Sequence, residues 1–369
     1  MPSRMQVEIA EQPDALRRTF EALLPRVGEL AALARDTRQV LFIARGSSDN
    51  AAVYGQYLCS VRAGRLATMA SPSVATAYRA GLDLRGVLAV AVSQSGATEE
   101  IVATLDWARD CGARCVAVTN APDSPLAGVA DATLLTQAGT ELAVPATKTY
   151  TTELAAMAVL AAALSAPGSP RGGVGHQGRD GGMGPSGSRG DGVGVEELQR
   201  VPEAVAAMLE VAPAAEALAG RLTEVETLVV SGRGFAYSTA LELALKLKET
   251  CYLPAVGLSY ADLVHGPIAI VDAGTPALLV AAGDGPMLPE MTRLAATLAG
   301  RGAPVYGIGG DHGFAAACRA ALPGPALPEH LAPFALIVPG QLLTEALARA
   351  KGIDPDAPRG LHKVTQTDT

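Results

Sequence analysis

A three-part pattern occurs twice along the chain, in the same order and with nearly the same spacing. Each part is an apolar run, then a Gly-containing turn, then a helix-length stretch. The paired segments are residues 40–52 with 227–240, 86–100 with 275–290, and 111–120 with 301–310. In one half 66 residues separate Gly46 from Gly112, and in the other 68 separate Gly234 from Gly302. A shared order and spacing predict a duplicated domain.

The apolar runs of this pattern are typical of strands that are buried on both faces. In residues 87–92 (VLAVAV) apolar residues follow one another without a polar alternation, as in parallel strands covered by helices. Strands that alternate with helix-length stretches are joined by right-handed crossovers. We therefore expect an α/β fold with two parallel sheets, and ligands beyond the carboxyl ends of the strands, where the Gly/Ser turns fall.

Between the two halves, residues 166–194 consist mainly of Gly, Pro and Ser and show no apolar periodicity. Such a segment cannot offset its ordering entropy by burial, so we expect a flexible linker or insertion there. The predicted regions are an N-terminal helical segment (1–35), a first domain (36–165), a Gly-rich linker (166–197), a second domain (198–350) and a C-terminal segment (351–369).

Composition and charge limit the partners. A net charge of −8 and a pI near 5.2, with only 4% aromatic residues, argue against nucleic acid as the main ligand. Mean hydropathy is +0.24, but the longest apolar stretch, residues 154–166, is too short to span a membrane. The first residues carry charges of both signs and no apolar core of a secretory signal, so we expect a cytoplasmic protein without a membrane partner.

The cysteines and histidines do not predict a metal site. The five cysteines form no CxxC pair, and the five histidines lie far apart in sequence. We expect reduced thiols, most of them in the core, and no bound metal.

Two hydroxyl-rich turns follow predicted strands of the first half. Residues 93–98 (SQSGAT) and 45–50 (RGSSDN) each precede a helical stretch, so their hydroxyls and free N–H groups can form an anion cradle. The alternative is a plain Ser/Thr N-cap. No GxxxxGK[ST] or GxSxG pattern occurs, and Tyr237 stands where a dinucleotide fingerprint needs a third Gly. A small sugar phosphate suits these turns better than a nucleotide.

Four further residues carry side chains suited to acid/base or amine chemistry. Lys246 and Glu249 end the stretch ALELALKLKE, where the simpler interpretation is a solvated Lys/Glu edge with i,i+3 pairing. His265 precedes Gly-Pro in a turn, and a lone turn histidine is usually polar surface. Lys363 lies close to the last residue, where it would ordinarily be a tail charge.

Taken together, these stretches resemble the sugar isomerase (SIS) family. The resemblance is to its double-domain members, the isomerase half of glucosamine-6-phosphate synthase and stand-alone amino-sugar-phosphate deaminases. The matching stretches are GSSDNA (46–51), SQSGAT (93–98), ELAVPATKTYTTEL (141–154), GRGFAYSTALELALKLKE (232–249), HGP (265–267) and DPDAPRGLHKVT (354–365). The resemblance implies two tandem SIS domains, each a flavodoxin-like three-layer αβα unit.

The resemblance also implies roles for particular residues. Val144 would line the sugar. The residues that would bind the phosphate are Ser48, Ser93, Gln94, Ser95 and Thr98.

Four other residues would do the chemistry. Glu249 would move the proton between C1 and C2, with Lys246 near it, and His265 would assist ring opening, commonly in the site of a neighbouring subunit. Lys363, in a C-terminal catalytic loop, would lie at the sugar carbonyl, where an amine can form a Schiff base. An aldose–ketose shift needs such an acid/base set and no metal or organic cofactor. We accordingly expect a homodimer with an active site shared between subunits.

The expected reaction converts glucosamine 6-phosphate into fructose 6-phosphate and ammonia. Alternatives are ammonia-dependent synthesis in the reverse direction, deglycation of a fructosamine phosphate and, in another class, a sugar-phosphate sensor. Pro2 stands where a glutaminase domain would carry its nucleophilic cysteine, so glutamine-dependent synthesis is not expected of this chain alone. Asp262 stands where the family leads us to expect Glu ahead of HGP, which leaves the substrate open.

Overall fold

The computed structural model describes residues 2–165 and 192–363. The chain begins with helices that pack against the first domain: α1 (Arg4–Ala10), α2 (Gln12–Leu23) and, after a 3-10 turn over Leu24–Arg26, α3 (Val27–Leu33). The hydroxyl of Ser3 accepts a hydrogen bond from the amide of Gln6 and thereby caps α1. Helices α2 and α3 cover the long helix that closes the first domain.

The first domain contains a five-stranded parallel sheet in the order β2-β1-β3-β4-β5. Its elements are β1 (Gln39–Ile43), α4 (Ser47–Val61), β2 (Leu66–Met69), α5 (Pro72–Thr76), β3 (Val87–Val92), α6 (Glu99–Asp110), β4 (Arg114–Thr119), α7 (Pro125–Gly128), β5 (Ala132–Leu135) and α8 (Lys148–Ser165). Residues 88–92 of the central strand β3 are all fully buried, as an uninterrupted apolar run predicts.

The second domain repeats this topology. Its strands lie in the order β7-β6-β8-β9-β10 and are again all parallel. The elements are α9 (Val195–Leu198), α10 (Val201–Leu209), α11 (Ala212–Gly220), β6 (Leu228–Gly232), α12 (Ala236–Cys251), β7 (Ala255–Ser259), α13 (Tyr260–Val264), a 3-10 turn (Pro267–Ile270), β8 (Ala277–Ala281), α14 (Leu288–Gly300), β9 (Val305–Gly309), α15 (His312–Ala317), β10 (Ala320–Leu322) and α16 (Pro333–Ala350).

The three sequence echoes occupy equal places in the two sheets. They correspond to β1 with β6, β3 with β8, and β4 with β9, and each pair holds the same position in its strand order. The two tandem α/β domains predicted from the sequence are therefore confirmed. The sheet order is that of flavodoxin-like folds.

Helices from both domains form one continuous apolar core. Helix α8 packs on α4, α12 packs on α16, and α4 packs on α12. Helix α8 is buried from Lys148 to Leu164, which its even distribution of Ala and Leu permits because no polar face has to meet water. This packing brings α12 of the second domain to the carboxyl ends of β1 and β3 in the first sheet.

The predicted Gly-rich linker lies mostly outside the described residues, which resume at Gly192. Arg62 donates a hydrogen bond to the carbonyl of Gly192, and Val193 is buried in the core. A Cβ atom added at Gly192 would touch Ser165, so the chain leaves and re-enters the described structure at adjacent points. Within the described ranges, no helix combines the length and hydrophobicity that a membrane span needs.

Candidate functional site

A cavity of about 390 Å³ opens where β1 and β3 end. In the strand order β2-β1-β3, the chain leaves β1 towards one edge of the sheet and β3 towards the other, so the turns after these strands diverge and leave a crevice. Nine sequence-predicted site residues line this cavity, namely Ser48, Ser93, Gln94, Ser95, Thr98, Val144, Lys246, Glu249 and Lys363. The structure thus gathers residues from both domains and from the C-terminal segment.

The turn after β3 requires glycine at its centre. Gly96 has φ +60°, and a Cβ atom there would collide with the Ser124 hydroxyl. The hydroxyl oxygen of Ser93 accepts from the amide of Gly96 at 3.2 Å, which fixes the turn. Thr98 is the N-cap residue of α6, but its side chain makes no capping hydrogen bond. Its hydroxyl is therefore not used by the helix start, as the plain N-cap alternative would require.

An ion pair between Arg45 and Glu100, which was not predicted from the sequence, lies beside these turns. Nε of Arg45 lies 3.1 Å from Oε2 of Glu100 in the first turn of α6, and Arg45 lines the cavity. The guanidinium is about half exposed, so it places a positive charge at the mouth of the cavity. The sequence contained a signal for this ion pair, because the repeated pattern pairs Arg45 with Arg233 and Glu100 with Glu290. In the second domain Arg233 and Glu290 also form an ion pair.

The second domain fills the corresponding crevice with a side chain of its own. Gly46 and Gly234 follow β1 and β6, and both have φ +61°. A Cβ atom at Gly285, after β8, would collide with the carboxylate of Glu329, which also lies next to Gly234. Burial, followed by the nearby Asp284, raises the pKa of Glu329 to about 7. A carboxylate thus stands where the first domain has open space between its two turns.

Helix α12 brings Lys246 and Glu249 to the cavity. Nζ of Lys246 lies 2.5 Å from Oε2 of Glu249 and 3.5 Å from Oε1 of Glu242. The Lys246 side chain is 2% exposed and that of Glu249 is 25% exposed, so this is not the solvated helix edge that the simpler interpretation predicts. Burial lowers the pKa of Lys246, but the charges of Glu242 and Glu249 outweigh it, and the net shift is upward.

Lys363 lines the cavity and is held over the buried carboxylate of Glu141. Nζ of Lys363 lies 2.6 Å from Oε2 of Glu141 and 2.8 Å from the carbonyl of Ala143. The Glu141 side chain has no exposed surface and also accepts hydrogen bonds from Thr147 and Thr149. Burial raises the pKa of Glu141, but the Lys363 charge and these bonds outweigh burial and lower it overall.

Further contacts hold the C-terminal segment in place. The Asp356 carboxylate accepts from the amides of Arg4 and Met5, and its carbonyl accepts from the amide of Val144. The amide of Arg359 donates to the Tyr252 hydroxyl at 2.6 Å. These bonds fix the chain just before Lys363 and place the lysine at the cavity.

Two buried acids, Glu153 and Glu242, lie behind the cavity wall. Oγ of Ser48 lies 2.8 Å from Oε1 of Glu153 on α8, and the Asn50 amide donates to Glu242 at 2.8 Å. Burial, above all other causes, raises the pKa of Glu153 to about 8 and also raises that of Glu242. These acids were not predicted from the sequence, although Glu153 lies within the stretch ELAVPATKTYTTEL.

One predicted residue lies apart from the others. His265 follows α13, is exposed to solvent and does not line the cavity of this chain. Asp262, the departure noted in the sequence, is also exposed and lies 2.6 Å from the Ser259 hydroxyl oxygen. Among the residues that the structure describes, no three His, Cys, Asp or Glu side chains are grouped so that they could hold a metal ion.

Comparison with known proteins identifies the family of the two domains. The SIS domain family model matches residues 33–163 and 221–348. Glutamine--fructose-6-phosphate aminotransferase (isomerizing) of Pyrococcus horikoshii is 33% identical over an alignment of 362 positions that covers 96% of this chain and 56% of that protein. The chain thus spans little more than half the length of this relative.

Two solved structures share the fold. The C-terminal domain of glucosamine-fructose-6-phosphate aminotransferase from Francisella tularensis has a TM-score of 0.84 at 26% identity, covering 97% of this chain and 99% of that one. Glucosamine-6-phosphate deaminase from Thermotoga maritima has a TM-score of 0.75 at 23% identity, covering 99% and 100%, a likeness of fold. With two matched domains that make up most of its length, the chain belongs to the SIS domain family.

Proposed function

We propose that the chain is an amino-sugar-phosphate isomerase and deaminase that converts glucosamine 6-phosphate and water into fructose 6-phosphate and ammonia. The observation that carries this proposal is that one cavity is lined both by hydroxyl-rich turns and by Lys246, Glu249 and Lys363. Such a cavity suits a small molecule with an anionic end and a carbonyl end.

The phosphate would bind in the turns after β1 and β3. Hydroxyls of Ser95 and Thr98 and the amides at the start of α6 are neutral donors that an anion can accept from, and the positive end of the helix dipole favours it there. Arg45 adds a cation at the mouth. With the phosphate at this end, C1 and C2 of the sugar lie towards α12.

Glu249 would act as the base for the isomerisation. In the open-chain sugar the aldehyde at C1 makes the C2 hydrogen acidic, and the Glu249 carboxylate removes this proton. Return of a proton to C1 leaves an alcohol at C1 and an imine at C2. Water then adds to C2 and ammonia leaves, which gives the ketone of fructose 6-phosphate. Lys246, 2.5 Å from Glu249, orients the carboxylate by an ion pair.

Lys363 would act at the carbonyl end of the sugar. Its amine is held at the cavity by Glu141 and by the Ala143 carbonyl. An amine at this place can hydrogen-bond the carbonyl oxygen or attack the carbonyl carbon to form a Schiff base, with loss of water. In either case Glu141 fixes the position of the amine.

A second copy of the chain would complete the site. His265 is exposed and lies outside the cavity of its own chain, whereas ring opening needs a group that protonates the ring oxygen. We therefore propose a homodimer in which His265 of each subunit reaches the cavity of the other.

The reverse reaction is a second candidate. The Pyrococcus horikoshii relative is named an aminotransferase, and the Francisella tularensis domain, which matches almost the whole of this chain, comes from an enzyme of the corresponding name. The same residues would then combine ammonia with fructose 6-phosphate.

The test is a turnover assay of the purified chain with glucosamine 6-phosphate, with fructose 6-phosphate plus ammonia, and with a fructosamine 6-phosphate. Formation of fructose 6-phosphate and ammonia in equal amounts from the first substrate supports the proposal. Release of an amino acid from the third alone, or no turnover of any of the three, would refute it.

A further inference from the structure

The contact between Ser48 and Glu153 has a consequence for how the cavity binds an anion. Ser48 lines the cavity, and its Oγ lies 2.8 Å from Oε1 of Glu153, whose residue is 2% exposed. A serine hydroxyl has a single hydrogen, so it can donate either to Glu153 or to a ligand. A phosphate offers only acceptor oxygens and gains from the contact only if the hydrogen points at it.

The surroundings of Glu153 disfavour a negative charge. Two further carboxylates, Glu242 on α12 and Glu141 beside the cavity, raise its pKa in addition to burial, and the phenol of Tyr150 lies one turn earlier on α8. Lys363 acts in the opposite direction, as does the bond with Ser48. The pKa of Glu153 is about 8 on balance, so its carboxyl is neutral at pH 7.

We propose that Glu153 is a positioning residue that works as a neutral acid: its carboxyl O–H donates a hydrogen bond to Ser48 Oγ and thereby turns the Ser48 hydroxyl hydrogen into the cavity, towards an anionic oxygen of the ligand. When Glu153 loses its proton, its carboxylate accepts a hydrogen bond from the Ser48 hydroxyl. The lone pairs of Ser48 Oγ then face the ligand. This inference rests on the proposed function, because it takes the ligand to be a sugar phosphate.

The sign of the pH dependence follows from this exchange. The protein binds the sugar phosphate more tightly when Glu153 is protonated. Its affinity for the sugar phosphate is therefore highest well below pH 8 and falls as the pH rises through the pKa of Glu153. A phosphate monoester has its second pKa near 6 and keeps its charge over that range, so the ligand itself does not produce the loss.

The experiment is calorimetric titration of the full chain with fructose 6-phosphate from pH 7 to 9.5. For the wild type we expect Kd to rise about tenfold, the effect of losing one hydrogen bond to a charged group. Glu153→Gln, whose amide donates to Ser48 at every pH, is expected to keep the pH 7 affinity throughout. Ser48→Ala should bind fructose 6-phosphate more weakly at pH 7, and its Kd should show no step, that is, no rise between pH 7 and 9.5.

Glu242→Gln is the matched control. It removes a neighbouring buried carboxylate without touching Ser48, so the step should persist and move to lower pH. A wild type that binds at pH 7 with no step, or a Glu153→Gln variant with the wild-type step, would overturn the role of Glu153 and leave the proposed function standing. A wild type that does not bind fructose 6-phosphate at pH 7 would overturn both.

Discussion

Nζ of Lys363 lies 2.6 Å from Oε2 of Glu141, which joins the C-terminal segment to a carboxylate with no exposed side-chain surface. An exposed tail lysine would add little stability, but this one neutralises a buried charge. Glu141 keeps its hydrogen bonds from Thr147 and Thr149 without it. The ion pair therefore links the integrity of the site to the stability of the fold.

We predict that Lys363→Ala abolishes turnover and also lowers the free energy of unfolding by about 1–3 kcal/mol, since a buried carboxylate loses its partner but not all its hydrogen bonds. The double variant Lys363→Ala/Glu141→Gln should recover most of this stability and none of the activity. Thermal unfolding measures the stability of both variants, and a turnover assay measures their activity. Full activity of Lys363→Ala would show that the lysine takes no part in the mechanism.

The same pair predicts a pH dependence of stability. The folded state lowers the pKa of Glu141 below its ordinary 4.5, so its contribution is present above about pH 4.5 and is lost as the pH falls through the folded value. Between pH 6 and pH 3 the wild type should lose more stability than Glu141→Gln, as urea unfolding can measure. Equal losses would show that folding does not lower the pKa of Glu141.

Ser95→Ala and Thr98→Ala are expected to raise KM for a phosphorylated sugar about tenfold or more, because each hydrogen bond to a charged group contributes roughly 1.5–3 kcal/mol. The unphosphorylated sugar should not be affected to a comparable extent. Ser73→Ala, an exposed serine outside the cavity, serves as the control. If both substrates weaken equally, the turn after β3 does not hold the phosphate.

The architecture was accessible from the sequence because repetition and continuous apolar strands are patterns along the chain. They predict two parallel sheets, and the switch in strand order then places the turns after β1 and β3 together. The buried acids Glu141, Glu153 and Glu242 were not accessible in this way. Glu153 and Glu242 lie in helical stretches, where a glutamate usually faces water, and their burial results from α4 packing on both α8 and α12, which no local pattern reports. Glu141 lies in the loop before α8, and its ion pair with Lys363 joins residues far apart in the sequence.

Residues 166–191 offer a test of the two-domain arrangement. Since Ser165 and Gly192 are adjacent, replacing 166–191 by a three-residue Gly/Ser bridge should leave kcat nearly unchanged, because a shorter loop changes closure entropy only slightly. The matched control extends the deletion through Gly194. It removes the buried Val193 and should lower the unfolding temperature. Loss of folded protein with the shorter deletion would contradict this account.

The shared site predicts complementation between inactive variants. Glu249→Gln and His265→Ala should each be inactive alone, whereas co-expression should restore about a quarter of wild-type activity, since half of the dimers are mixed and each has one intact site. Activity per site in the purified mixture is the measurement. If the mixture stays inactive while each variant is folded and dimeric, His265 does not act across subunits.

The most direct test of the central claim follows the C2 hydrogen. Glucosamine 6-phosphate labelled with deuterium at C2 is incubated with the wild type, with Glu249→Gln and with Lys248→Gln, an exposed neighbour on the same helix. The account predicts fructose 6-phosphate with the label moved to C1 or exchanged with solvent, ammonia in equal amount, a wild-type rate for Lys248→Gln and a loss of about 10²–10⁴-fold for Glu249→Gln. Labelled glucosamine 6-phosphate recovered unchanged, with no fructose 6-phosphate or ammonia formed, or a Glu249→Gln variant that turns over at the wild-type rate, would contradict it.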